Sequence, residues 1–278
     1  AAEFCPAQIG GLPLLIGSAA ATTLILLLSN PLTALVYAAS EALPAIALTR
    51  MTLVAREEDG RIYWYPIGRV IVAAALISGA LSFAYLAVQG ADVEALTKAI
   101  RPEVENFAKS LSSVPGGAQA LGEAQIGEMT SIIVASLPGA VSLSLMLTAL
   151  ASLWLAGRVT LASGRLARPW PDFSKLELPL GSAAVLVAVT ALSFTSDRMW
   201  LLSDGLASAL RLAFALVGLA VVHHVTRASP WRGFILAATY TGLLILSRHA
   251  ILILALIGLA ETVFHYRNAA QRSPGPPS

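Results

Sequence analysis

Long apolar runs, separated by short segments that carry most of the charge, dominate this sequence. About seven or eight such runs, each of roughly 14 to 26 residues, follow one another along most of the chain. A hydrocarbon core of about 30 Å requires roughly 20 residues of helix to cross it, and backbone polar groups there must be satisfied within the segment. The pattern therefore predicts an all-α fold, a polytopic transmembrane bundle of about seven or eight helices.

The composition supports membrane insertion and argues against several other classes. Only 12% of residues are charged, 56% are hydrophobic, and the mean hydropathy is +0.74, whereas a soluble domain carries about 25% charged residues. The 18 basic and 16 acidic residues give a net charge of +2, which is too balanced for a nucleic-acid-binding surface. Cys5 is the single cysteine, so neither a disulfide nor a thiol pair can form. We expect the lipid bilayer as the main partner, with no cofactor and no metal.

The runs define one predicted membrane domain. In chain order the predicted spans are run A (9–28), B (32–54), C (67–88), D (131–157), E (181–196), F (199–225), G (233–247) and H (250–265). Runs G and H are short, which leaves open whether they cross the membrane with little tilt or form a re-entrant pair. We predict a single integral membrane domain, 1–266, followed by a disordered cytoplasmic tail, 267–278, rich in proline and serine.

The one long polar stretch, 92–130, is predicted to be an external arm. Apolar residues recur within it at spacings of three and four, which indicates one face of an amphipathic helix. That face consists of Val93, Leu96, Ile100, Val104, Phe107 and Leu111. Oppositely charged pairs such as Glu94 and Lys98 favour an exposed helix, and Pro115-Gly116-Gly117 predicts its end. The arm fits either a helix lying in the membrane interface or a lid or partner-docking element.

The basic residues indicate an orientation, because Lys and Arg are retained on the cytoplasmic side. One side of the predicted bundle carries ten of them and the other side five. The ten are Arg56, Arg61, Arg158, Arg165, Arg168, Lys175, Arg227, Arg232, Arg267 and Arg272; the five are Lys98, Arg101, Lys109, Arg198 and Arg248. We therefore predict that the start and the C-terminus of this chain are both cytoplasmic.

Run F carries the strongest candidate site, because ionisable groups inside a span are costly and suggest function. Asp204, Ser208 and Arg211 share one helical face, and Arg211 lies near the bilayer centre. About 10 Å along the helix axis separates Asp204 from Arg211, a gap that the arginine side chain and a water or hydroxyl can bridge. Such a group can bind an anionic head or carboxylate. The alternative is a structural ion pair that fixes helix packing.

Two further acidic residues lie within predicted spans. Glu41 stands in the middle of run B, three residues before Pro44, and a proline opens a helix and leaves carbonyls free. Glu41 is therefore a further ligand-binding candidate that can titrate or hold a cation, with a hydrogen bond to a neighbouring helix as the alternative. Glu261 and His265, four residues apart in run H, are expected to form a local cap or pair.

The loop between runs D and E, 158–180, which we name the D/E loop, is the most basic loop of the chain. Its candidates for binding a partner are Arg165, Arg168, Trp170 and Asp172.

The sequence contains none of the common catalytic motifs. No Walker A loop, G-x-S-x-G elbow, H-E-x-x-H pair or Rossmann glycine pattern occurs in it. We therefore expect no catalytic residues and no enzyme.

Several segments resemble a known family. The likeness begins at Leu43-Pro44 and continues through Asp59-Gly60-Arg61-Ile62-Tyr63-Trp64-Tyr65-Pro66. It is most specific in Ser163-Gly164-Arg165-Leu166-Ala167-Arg168-Pro169-Trp170-Pro171-Asp172-Phe173-Ser174, and Gly258-Leu259-Ala260-Glu261-Thr262 also fits. From about residue 40 to residue 266 the chain resembles the YybS-like predicted bacterial membrane proteins, domain of unknown function 2232, in their alphaproteobacterial form.

The resemblance implies a multi-pass protein of a bacterial inner membrane. Members of the family usually have further helices before the Leu-Pro segment, so we expect sequence to precede Ala1. The family is remotely similar to the S components of energy-coupling factor transporters, which bind vitamins and dock another membrane subunit. One functional expectation is therefore a substrate-binding membrane component of a small-molecule transporter, of unknown ligand. The alternative is a non-catalytic membrane scaffold that recruits cell-envelope or other membrane partners through its loops.

Overall fold

Helices make up nearly all of the chain that the computed structural model describes, residues 4–6, 11–88, 90, 92–112 and 121–267. The helices are α1 (Gly11–Leu28), α2 (Pro31–Tyr37), α3 (Leu43–Leu53), α4 (Ile67–Val88), α5 (Val93–Ser112), α6 (Glu123–Ala162), α7 (Leu180–Leu192), α8 (Asp197–Val225) and α9 (Arg232–Phe264). By length and composition, five helical segments can cross a membrane, and Pro13–Leu28 and Leu180–Leu192 are shorter apolar helices. The predicted polytopic helical bundle is confirmed.

Helices α2 and α3 form one span, interrupted by the π-helical turn Ala38–Ala42. The N–H of Leu43 donates to the carbonyl of Ala38, five residues earlier, and Pro44 follows without an N–H of its own. A π turn accommodates a proline inside a helix, because the helical turn is wider where the proline supplies no N–H donor. The predicted opening of run B before Pro44 is therefore present, and Glu41 lies in it.

A small antiparallel sheet accompanies the helices, which the run pattern did not predict. Its strands are β1 (Phe4–Pro6), β2 (Val54–Glu58) and β3 (Arg61–Trp64), in the order β1-β2-β3. In the hairpin Glu58 pairs with Arg61, and Asp59 and Gly60 between them have φ of 53° and 70°. An Asp-Gly pair with positive φ is typical of a two-residue hairpin turn, so the signal was present in the sequence.

Helix α8 is the centre of the bundle. It packs against α4, α6, α7 and α9, and 72% of its most apolar 18-residue stretch is buried within the protein. Leu210, Phe214 and Val217 are fully buried in the main core. A side chain on this helix is therefore surrounded by protein more fully than one on α1 or α9, which places Asp204, Ser208 and Arg211 on the most enclosed helix of the bundle.

The predicted external arm consists of α5 and the first turns of α6. Helix α6 is continuous over 40 residues, about 60 Å, so it extends well beyond a bilayer and α5 packs along it. Leu96 and Val104 are buried as predicted, but Phe107 and Leu111 are 53% and 40% exposed, and Ala108 is buried instead. Toward the C-terminal end of α5, the buried residues Val104 and Ala108 are thus spaced by four. The predicted break at 115–117 lies outside the described residues.

Helix α9 folds back on itself at Ser247, where φ is 27° and ψ is −88°. The hydroxyl of Tyr240 lies 2.9 Å from Nε2 of His223, and the backbone of Leu254 contacts Gly218. A straight helix would separate Tyr240 and Leu254 by about 21 Å, whereas Gly218 and His223 lie only about 8 Å apart along α8. Runs G and H are therefore two arms of one bent helix, and both of its ends lie at the same end of the molecule.

The predicted grouping of loops at one end of the bundle is present. Strand β1 pairs with β2, and Arg168 of the D/E loop donates to the carbonyls of Thr52 and Tyr65 on either side of the hairpin. Arg227, after α8, pairs with Asp172 of the same loop. We name this end the basic end. The α4–α5 turn and the arm occupy the other end, which we name the arm end.

Candidate functional site

Asp204, Ser208 and Arg211 form one hydrogen-bonded cluster on α8. Nη2 of Arg211 donates to Oδ1 of Asp204 at 2.6 Å and to Oγ of Ser208 at 2.8 Å. Nε of Arg211 donates to the carbonyl of Ala207 at 3.2 Å, and the Ser208 hydroxyl donates to Oδ2 of Asp204 at 3.4 Å. The prediction that these side chains share a face is correct. No bridging water is needed, because the arginine reaches the carboxylate directly.

The helices around this cluster approach it very closely. A Cβ at Gly139 of α6 would lie 2.7 Å from Oγ of Ser208 and 2.9 Å from Oδ2 of Asp204. On α8 itself, a Cβ at Gly205, the residue after Asp204, would lie 2.6 Å from Oγ of Ser82 on α4. The Ser82 hydroxyl donates to the carbonyl of Pro138 at 3.0 Å. Small residues allow close helix packing in lipid. The Pro138-Gly139 step of α6 is thus fitted against the polar face of α8.

The cluster combines internal neutralisation with partial access. The Asp204 and Arg211 side chains are 19% and 30% exposed, and among the described residues no protein group accepts from Nη1 of Arg211. Asp204 offsets the charge of Arg211, which lowers the cost of holding a cation near the middle of the 29-residue helix. The two N–H groups of Nη1 therefore remain as donors. Chemically, the cluster can donate charge-assisted hydrogen bonds from Nη1 to an oxygen of a bound molecule.

Glu41 lies apart from this cluster. The π turn that carries it packs against α1, α4 and α6, and no hydrogen bond among the described residues joins Glu41 to Asp204 or Arg211. The four predicted ligand-binding residues therefore divide into a cluster of three on α8 and a separate carboxyl in the α2–α3 span.

Two of the four predicted partner-binding residues hold the D/E loop to the rest of the protein. Arg168 donates to the carbonyl of Tyr65 at 2.9 Å and to that of Thr52 at 3.3 Å, and burial lowers the pKa of its guanidinium from the usual value. Asp172 accepts from the hydroxyl and the N–H of Ser174 and pairs with Arg227. The pKa of Asp172 is lowered, chiefly by the hydrogen bond from the Ser174 hydroxyl and further by the Ser174 N–H and by Arg227.

The other two predicted loop residues are at the surface. Arg165 is exposed and Trp170 is 41% exposed. The Trp170 ring lies next to Gly157, where a Cβ would be 3.3 Å from its Cζ3, and the guanidinium of Arg158 lies over the ring at 5.5 Å from its centre. Both residues remain candidates for a partner contact, and their backbone is fixed by the hydrogen bonds of the loop around them.

Sequence reasoning missed the most buried ion pair of the described residues. Glu261 and Arg267 are 3% and 6% exposed and their side chains meet at 2.8 Å. Arg267 also donates to the carbonyls of Ser174 at 2.5 Å and Leu176 at 2.7 Å. Of the expected cap or pair of Glu261 and His265, the cap is present: His265 ends α9 in a left-handed conformation, and its N–H donates to the carbonyl of Glu261 at 2.8 Å. Its side chain is exposed, and the Glu261 carboxylate pairs with Arg267 instead. Arg267, the first residue of the predicted tail, is thus held against the end of α9 and the D/E loop.

The fold and this cluster define a polytopic helical membrane protein with an arginine–aspartate pair inside its central helix. Within that class, the chain belongs to the family of predicted membrane proteins described as DUF2232, whose family model matches residues 12–262. The YybS-like family is the same family, so the predicted membership of that family is confirmed. No curated protein and no solved structure matches the chain.

Proposed function

We propose that this protein is a substrate-binding membrane component of a small-molecule transporter, with Arg211 as the residue that contacts the ligand. The observation that supports the proposal is the uncommitted Nη1 of a partly exposed arginine at the middle of the central helix. Asp204 and Ser208 fix the orientation of the guanidinium, so little side-chain entropy is lost on binding. The ligand class that suits this donor is a small molecule with a carboxylate or a carbonyl oxygen.

Native mass spectrometry of the protein purified in mild detergent tests the proposal. We expect the wild type to carry a small-molecule adduct and the double variant Arg211→Met with Asp204→Leu to lack it. Because an apolar pair can replace a buried ion pair with little loss, the double variant should melt near the wild-type temperature, whereas either single variant should be less stable by about 3 to 5 kcal/mol. Arg69→Met is a matched control, since Arg69 lies at the basic end over the Tyr65 ring.

The same experiment separates the second candidate function, a scaffold that recruits membrane or cell-envelope partners. The observation that favours it is the direct Asp204–Arg211 bond, which can serve packing alone, beside a rigidly held loop that exposes Arg165 and Trp170. A stable double variant that retains the small-molecule adduct of the wild type would contradict ligand binding at Arg211. The scaffold function would then be preferred.

For the orientation we infer that the basic end faces the cytoplasm of a bacterial inner membrane, which also places the C-terminus there. The inference rests on the ten-to-five distribution of basic residues and on the assembly of the hairpin, the D/E loop and Arg267 at one end. In a Cys5→Ser background, cysteines at the exposed positions Ala167 and Glu103 report on the two ends. We expect an impermeant thiol reagent added to intact cells to label position 103 and not 167. The reverse pattern would invert the topology.

A further inference from the structure

Glu41 is an isolated carboxyl near the middle of a membrane span. It is the eleventh of the 23 residues of Pro31–Leu53. Its side chain is half-buried, and among the described residues no hydrogen bond or ion pair involves it. Pro44 and Leu48, which share the face of Glu41, are buried, whereas Leu43 on the opposite face is 62% exposed. Glu41 therefore lies on the side of the span that faces the bundle. Glu41 thus differs from Asp204, whose charge is matched by Arg211 at 2.6 Å.

No described cation stands at the level of Glu41 on the elements packed against it. Helix α1 contains no ionisable residue from Gly11 to Leu28. Among ionisable residues, α2 contains Tyr37 and α3 contains Arg50, while α4 contains Arg69 and Tyr85. Helix α6 contains Glu123, Glu128 and Arg158. Tyr37 is one turn away but neutral. The arginines lie toward the basic end and the two glutamates toward the arm end, so none of them can neutralise a carboxylate at mid-span.

The π turn adds a second polar group to this position. Leu43 donates to Ala38 rather than to Ala39, and Pro44 supplies no N–H. A carbonyl of 39–40 is therefore left without its helical donor next to Glu41. π turns are rare and often occur at functional sites. A charged acidic residue at the centre of a span costs about 2.5 to 3.5 kcal/mol on insertion scales, and among the described residues Glu41 has no ion pair that would offset this cost.

We propose that Glu41 is a proton-binding site of the membrane domain, occupied as a neutral carboxylic acid on the inner face of its span. The proposal is independent of ligand binding at Arg211, because the two sites share no contact among the described residues and lie on different helices. A neutral acid removes the cost of the charge, and its O–H is a donor where a carbonyl of the turn needs one. A site of this kind can take up and release one proton as its surroundings change.

The reaction of this acid with a hydrophobic carbodiimide tests the proposal. The acid adds across one C=N bond of dicyclohexylcarbodiimide, with its proton going to nitrogen and its oxygen to carbon, and the product rearranges to a stable N-acylurea that retains every atom. The whole protein in liposomes is treated across a pH series, and peptides are analysed by mass spectrometry. We expect labelling of Glu41 at neutral pH that falls about tenfold per pH unit once the acid loses its proton.

Controls within the chain make the result specific. Asp204, paired with Arg211, should stay unlabelled in the same sample, and a water-soluble carbodiimide should label the exposed Glu94 but not Glu41. Glu41→Gln should abolish the label while keeping the wild-type elution volume and melting temperature.

Three results would overturn the proposal: no label on Glu41, a label that is independent of pH, or protection by sodium ions at constant pH. The last would make Glu41 an alkali-cation site. None of these outcomes bears on the adduct at Arg211, so the two proposals fail separately.

Discussion

Gly258→Ala should prevent the stable packing of α9 on α8. A Cβ at this position would overlap the carbonyl oxygen of Phe214 and lie 2.8 Å from the backbone nitrogen of Gly218. Both neighbours are backbone atoms of the central helix, so a change of rotamer cannot relieve the overlap. Ala normally stabilises a helix interior by about 1 kcal/mol relative to Gly. Here we expect the opposite sign, a loss of about 3 kcal/mol or more, because overpacking moves two backbones apart.

A second glycine of the same helix provides the control. A Cβ at Gly242 would meet no atom within 4 Å, so Gly242→Ala should leave the protein unchanged or slightly more stable. The fraction of monodisperse protein after size-exclusion chromatography in detergent, and the melting temperature of that fraction, measure the difference. If the two alanine variants behaved alike, the close approach of α8 and α9 at Gly218 and Gly258 would be wrong.

The features that local periodicity encodes were predictable from the sequence. A membrane span needs length and hydropathy alone, so the bundle and its approximate number of spans followed from the runs. The 3.6-residue period placed Asp204, Ser208 and Arg211 on one face, and a proline three residues after Glu41 predicted the local opening of the helix. These inferences require no knowledge of which helices are neighbours.

Contacts between distant segments carried no comparable signal. Arg267 donates to carbonyls that lie 91 and 93 residues earlier, and a backbone acceptor has no residue type by which it can be recognised. The same holds for Arg168, whose acceptors lie 103 and 116 residues earlier. In the sequence both arginines belong to a charged loop or tail, whereas in the structure the hydrogen bonds of each hold the D/E loop in place. The fold at Ser247 was also hidden, because a serine can adopt a strained conformation without any sequence mark.

The D/E loop supports the most stringent test of this interior arrangement. Arg267→Met would leave Glu261 buried at 3% exposure without its cation, and would remove the donors from the carbonyls of Ser174 and Leu176. Breaking a buried pair from one side costs about 3 to 5 kcal/mol, so we expect a large fall in melting temperature. Amide exchange in 173–178 should accelerate, since the loop loses its attachment to the end of α9.

Two companion variants separate charge from hydrogen bonding. The double variant Arg267→Met with Glu261→Leu removes the uncompensated carboxylate, but the two loop carbonyls stay unpaired at about 1 to 3 kcal/mol each, so the rescue should be only partial. Arg227→Met breaks the half-exposed pair with Asp172 in the same loop and should lower the melting temperature far less than Arg267→Met, because solvent screens an exposed pair. Full recovery in the double variant would mean that the carbonyl bonds contribute little. If Arg267→Met cost no more than Arg227→Met, Arg267 would not be the residue that fixes the D/E loop to α9.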